Sequence, residues 1–183
     1  MALGRRGALP DRGAASRPLR GRFTPPLMLW LSIAVVVVFL DQWSKGLAVS
    51  QLQYGAPVRI LPVLNFTLQF NSGAAFSILS DLGDTGRWLL SALSILISVG
   101  LLVWMFSLPS GEWLLGFALA FILGGALGNL WDRLQLGHVV DFISVHYADR
   151  FFPTFNLADS AITLGVILML ADTLIQARQG SRA

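Results

Sequence analysis

Four long apolar runs, Leu27 to Val49, Trp88 to Phe106, Trp113 to Leu134 and Ala158 to Ile175, constrain this chain more than any other feature. At the helical rise of about 1.5 Å per residue, each falls within the roughly 17 to 25 apolar residues that take a helix across the hydrocarbon core of a bilayer. Composition points the same way. The chain is 55% hydrophobic and only 13% charged, where soluble domains carry about 25% charged residues. Four spans take up nearly half of the 183 residues, which suits one domain and leaves little room for a separate soluble one. The expected class is an all-α integral membrane protein with four transmembrane helices.

Charge sets the expected orientation. Arg5, Arg6, Arg12, Arg17, Arg20 and Arg22 precede the first run, where they act as a topology signal and a contact for anionic membrane lipid. The net charge of +3 is therefore not read as a sign of a nucleic-acid partner. Arg178 and Arg182 lie beyond the fourth run, so both termini are expected in the cytoplasm. Residues 1–24 form an Arg-rich, disordered cytoplasmic tail in this reading, residues 25–177 the four-helix membrane domain, and residues 178–183 a second tail. A cleaved signal peptide competes for the first run, given the Arg-rich leader, the core LMLWLSIAVVVVFL and the small residues near Gly46 to Ser50. The polar motif DQWSK at 41–45 speaks against it. With no cysteine, thiol catalysis, disulfides and cysteine metal sites are excluded.

Two external segments remain. In the first, Leu64, Phe66, Leu68 and Phe70 alternate with Asn65, Thr67, Gln69 and Asn71, the period of a strand with one apolar face, which predicts a small extracytoplasmic β-sheet. The second, about Gln135 to Leu157, holds HYADRFFPTF, whose aromatics suit a membrane interface. The link SLPSGE makes the second and third spans antiparallel neighbours. Gly124 with Gly128, Ala161 with Gly165 and Ser94 with Ser98 are small-residue pairs that let helix backbones approach.

Polar residues of the spans converge on one depth. Counted from Leu27, Asp41 lies about 21 Å into the bilayer with Lys45 one turn beyond; counted from Trp113, Asn129 lies about 24 Å in, with Arg133 near the outer boundary. Asn156 and Asp159 open the fourth helix at that same surface. Ionisable groups within spans cost about 2.5 to 3.5 kcal/mol each on insertion scales and face partners or a water-filled cavity. Asp41 with Lys45 and Asn129 with Arg133 are also spaced to stitch their own helix ends at i,i+4; Arg133 can snorkel, Asn71 can sit in a turn, and Asp159 or Asn156 can cap a helix. Asp141, in VVDFI, and Asp159, in FNLADS, stand apart as a possible pair. Two carboxylates meeting at a membrane cavity share one proton, and such a pair can hydrolyse a peptide bond. A metal site of His138, Asp141 and His146 fits no familiar ligand spacing. A small transporter or channel with an outward-facing polar site is the alternative from another class.

Read in order, DQWSK at 41–45, NSGAAFSIL at 71–79, GGALGNLWDRL at 124–134, VVDFI at 139–143 and FNLADS at 155–160 resemble the lipoprotein signal peptidase (signal peptidase II) family, over about residues 27–177. The resemblance implies an aspartic endopeptidase of the bacterial inner membrane that removes the signal peptide from diacylglyceryl-modified prolipoproteins, without metal or organic cofactor. It implies Asp141 and Asp159 as the catalytic pair, Asp41, Asn71, Asn129, Arg133 and Asn156 as supporting or substrate-binding positions, and Lys45 in a supportive role. It also makes the predicted sheet a surface cradle and the second external segment a mobile flap, in an enzyme expected to be monomeric. The Arg-rich extension before the first span departs from the family pattern without touching a catalytic position.

Overall fold

The computed structural model describes residues 25–73, 84–109, 111–148 and 150–180. The Arg-rich stretch, most of NSGAAFSIL and the last three residues lie outside the described residues. Four helices, α1 (Pro25–Gln51), α2 (Asp84–Ser107), α3 (Trp113–Gln135) and α4 (Leu157–Gly180), carry the chain, and all four are long and apolar enough to cross a membrane. They contain the four apolar runs and extend beyond them, α2 starting at Asp84 and α4 continuing past Ile175. Hydropathy ends where hydrocarbon would end, whereas helical hydrogen bonding continues through polar residues such as Arg87 and Gln176.

The third helix is the hub. Its most apolar stretch is 61% buried, against 28% for α1, 28% for α2 and 17% for α4. Glycine makes this possible. A Cβ at Gly124 would lie 2.8 Å from the Ala34 carbonyl oxygen of α1, and one at Gly165 would lie 2.7 Å from that of Ala118, so both helices pack backbone to backbone against α3. Gly125, absent from the i,i+4 pattern, serves the same end on a different face, since a Cβ there would meet the Ala158 carbonyl oxygen at 2.4 Å. At the opposite end from the sheet, Trp30 lies over Gly116 and joins Leu27, Ala34, Met105, Leu119, Ala120 and Leu123 in a buried core.

One antiparallel sheet sits where α1 and α3 end and α2 and α4 begin, formed by β1 (Val58–Leu61), β2 (Leu64–Asn71), β3 (Val139–Tyr147) and β4 (Arg150–Phe151) in that order. The strand expected at 64–71 is β2. Its faces differ from the simple alternation, because Asn65, Thr67 and Leu68 are buried while Phe70 is exposed. The cause is a register shift against β3 between Phe66 and Gln69. One extra residue in β2 resets the alternation there. About half of the second external segment is strand, in β3 and β4. VVDFISVHY is rich in the β-branched and aromatic residues that suit a strand, and it pairs with β2 from Leu64↔Val145 to Asn71↔Val139.

Candidate active site

The start of α4 organises the site. A helix leaves its first amides without internal partners, and here two side chains take them. Asn156 accepts the Asp159 N–H through Oδ1 at 2.9 Å, and Asp159 Oδ2 lies 3.4 Å from the Asn156 N–H, a reciprocal capping arrangement. The Ala158 N–H donates to Asp41 Oδ1 at 2.9 Å, reaching across from α4 to α1. Asp41 therefore does more than pair with Lys45 on its own helix, although that pair forms at 2.7 Å. Room for its carboxylate comes from Gly128, where a Cβ would stand 2.6 Å from Asp41 Oδ2. This glycine shapes the site as well as the helix packing.

Asp141 arrives on β3, 1% exposed. Asn71 donates to its Oδ2 at 3.0 Å and Asn156 to its Oδ1 at 2.7 Å. Gln69 stands opposite Asp141 in the ladder, so Asn71, two residues on, shares that face and is the diagonal neighbour. Asp159 Oδ1 accepts from Asn129 Nδ2 at 2.7 Å. The orientation of each asparagine follows from what its oxygen accepts: Asn71 Oδ1 takes the Gly73 N–H, Asn156 Oδ1 the Asp159 N–H, and Asn129 Oδ1 both Lys45 Nζ at 3.0 Å and Asn156 Nδ2 at 3.1 Å. With every amide oxygen engaged by a donor, every amide nitrogen is left to face a carboxylate. Asn156 bonds both aspartates, Asp141 through its side chain and Asp159 through its main chain.

Seven of the eight residues singled out from sequence thus join one hydrogen-bonded network. Arg133, the eighth, donates to its own helix at the Asn129 carbonyl, 3.2 Å away, with Asp159, Asp132 and Asp141 as its charged neighbours. Burial pushes the Asp141 carboxyl up to about 6, with the Asp159 charge adding to the rise; hydrogen bonds from Asn71 and Asn156 and the Lys45 charge hold it back. His138 packs instead against Phe70 in a tilted pair and His146 stacks on Phe151, with centroids 4.5 and 5.0 Å apart. Among the described residues no three histidine, aspartate or glutamate side chains gather as metal ligands would.

Three residues escaped the sequence reading. Asp132, 1% exposed, pairs with Lys45 at 2.9 Å and accepts from Gln42 at 2.8 Å. Consecutive residues on a helix face different directions, so the adjacency of Asp132 to Arg133 concealed that they serve different neighbours. The signal was present at i,i+3 from Asn129. Gln42 also reaches Asp41 and the Gly128 carbonyl. Arg87 of α2 donates to the Arg133 and Leu134 carbonyls at 2.7 and 3.0 Å, satisfying the exposed end of α3 where a cation also suits the helix dipole.

Known proteins share this architecture. Residues 33–175 match the family model for signal peptidase (SPase) II. A lipoprotein signal peptidase of Acinetobacter baumannii is 49% identical over 158 residues, covering 86% of this chain and 90% of its own. That of Pseudomonas aeruginosa is 47% identical over 156 residues, covering 84% and 92%. A bacterial membrane enzyme solved by the in meso method at 2.3 Å resolution superposes with a TM-score of 0.71 at 33% identity, over 82% of this chain and 90% of that one.

Proposed function

Because the chain belongs to the signal peptidase II family, we propose that it is an aspartic endopeptidase whose catalytic pair is Asp141 and Asp159, and that it cuts diacylglyceryl-modified prolipoproteins before the lipidated cysteine. The observation that carries this reading is Asn156 bonding both carboxylates, with Asn71 and Asn129 each donating to one of them. Nothing in that shell besides the aspartates can take a proton from water.

The pair works with one proton between two acids. The ionised carboxylate draws a proton from water as its oxygen attacks the scissile carbonyl carbon, while the protonated carboxyl hydrogen-bonds the carbonyl oxygen. Collapse of the tetrahedral intermediate breaks the C–N bond, and the proton passes to the leaving amine of the cysteine. Arg133 offsets the negative charge beside Asp159. Side chains and water suffice for every step. The described ionisable groups of α1 and α3 gather at the sheet end, which supports a site open to the extracytoplasmic face and both termini in the cytoplasm. It speaks against a transport path, which would continue polar across the bundle. One chain of four spans supplies all eight side chains singled out from sequence, in line with a monomer surrounded by membrane lipid, with residues 1–24 as a cytoplasmic tail and the expected second tail shortened to residues beyond α4, which runs on to Gly180.

Two measurements test this. Cleavage of a diacylglyceryl-modified precursor should exceed that of the same unmodified precursor by at least about 100-fold in kcat/KM, since binding energy from a remote lipid is used at the reacting centre; equal rates would remove the lipid from the account. The pH dependence follows from Asp141. With its carboxyl at about 6 in the free enzyme, the one-proton form is lost as pH rises, so kcat/KM should fall on an alkaline limb centred near 6. Substrate that covers Asp141 shields it further from water, which places the corresponding limb of kcat at higher pH. A profile without an alkaline limb would sink the shared-proton mechanism.

A further inference from the structure

We infer that Asp132 is a positioning residue that fixes the main chain immediately before Asp141; the inference rests on Asp141 being catalytic. Val140 lies on the edge of β3 and has both main-chain groups taken by side chains. Its N–H donates to Asp132 Oδ2 at 3.1 Å and its carbonyl accepts from Asn156 Nδ2 at 3.3 Å. Further along, the N–H groups of Phe142 and Ile143 go to the Phe155 carbonyl. A buried strand edge needs partners for these groups, and at Val140 they come from a membrane helix and from the cap of α4 rather than from another strand.

Asp132 is itself held rigidly. Lys45 and Gln42 of α1 bond its two oxygens, and Asp41 lies within electrostatic range, so one carboxylate ties α1, α3 and β3 together. The same Lys45 bonds Asn129 Oδ1, which turns the Asn129 amide towards Asp159. One lysine therefore reaches both members of the pair, Asp159 through Asn129 and Asp141 through Asp132 and Val140. Asp132 contacts neither catalytic carboxylate and acts only through the backbone it grips.

The test compares Asp132→Ala and Asp132→Asn with wild type on a lipidated precursor, with Asp141→Asn and Asp159→Asn alongside. Misplacing a reacting group by about 1 Å costs on the order of 100-fold, so Asp132→Ala should lose about that much in kcat with KM within about threefold. The alkaline limb should move away from its wild-type position as Asp141 settles differently. Asp132→Asn keeps an oxygen for the Val140 N–H and should recover about tenfold of the loss. If Asp132→Ala does not accumulate as folded protein, the asparagine variant decides, with a reduced kcat and a displaced limb expected. A wild-type kcat and an unmoved limb in the folded variant would overturn the inference and leave a purely structural role. Should Asp141→Asn or Asp159→Asn remain active in the same assay, it is the assignment of the pair that fails instead.

Discussion

Asp141→Asn and Asp159→Asn are each expected to lower kcat by about 10²- to 10⁴-fold, the range that loss of a positioned acid or base produces, while leaving a folded membrane protein. The substitutions keep shape and remove only the ability to exchange a proton. At position 141 the amides of Asn71 and Asn156 point at both side-chain oxygens, so a new NH2 group meets a donor. Against that, a neutral amide replaces a carboxyl whose ionisation burial opposes. A group with a raised folded pKa favours the fold at low pH, fully below its ordinary value near 4, and loses that contribution as pH rises through about 6. Asp141→Asn should therefore flatten the pH dependence of stability across that window. Asp159→Asn removes a negative charge from the first turn of α4, where the helix dipole favours one by about 0.3–1 kcal/mol. Both variants should keep the wild-type elution volume and helical content in detergent.

Lys45→Met should have the largest effect on stability, about 3–5 kcal/mol, as expected when one member of a buried ion group is removed. Lys45 is the direct ion-pair partner of both Asp41 and Asp132, which are 0% and 1% exposed. Methionine matches the stem and leaves two carboxylates facing each other. Activity should fall as well, since Asn129 Oδ1 loses the donor that turns its amide towards Asp159. Thermal unfolding measures the stability loss and cleavage of a lipidated precursor the activity loss, and a small shift in melting temperature would contradict this view of the buried triad.

Much of this site is legible in the sequence, and the physical reason is depth. Apolar spans tolerate few polar residues, so Asp41, Lys45, Asn129 and Arg133 stood out against a bland background, and counting helical rise placed them at one level with Asn156 and Asp159. Asp141 needed more. Its sequence neighbours are apolar and its strand belongs to a sheet built from two separate segments, so no local period announces that Asn71 lies diagonally beside it. The bulge between Phe66 and Gln69 was equally hidden, because alternation reads the same until a partner strand fixes register. Asp132 was missed for a third reason. Its role depends on a main-chain N–H in another element, and backbone groups leave no mark in the sequence.

The central claim is that Asp141 and Asp159 act as one unit. Single-turnover cleavage of a lipidated precursor by wild type, Asp141→Asn, Asp159→Asn and the double variant tests it most directly. Residues that work together are strongly non-additive, so the double variant should be no more than about threefold slower than the slower single variant. Losses that multiply, or near-full cleavage by either single variant, would contradict a pair sharing one proton.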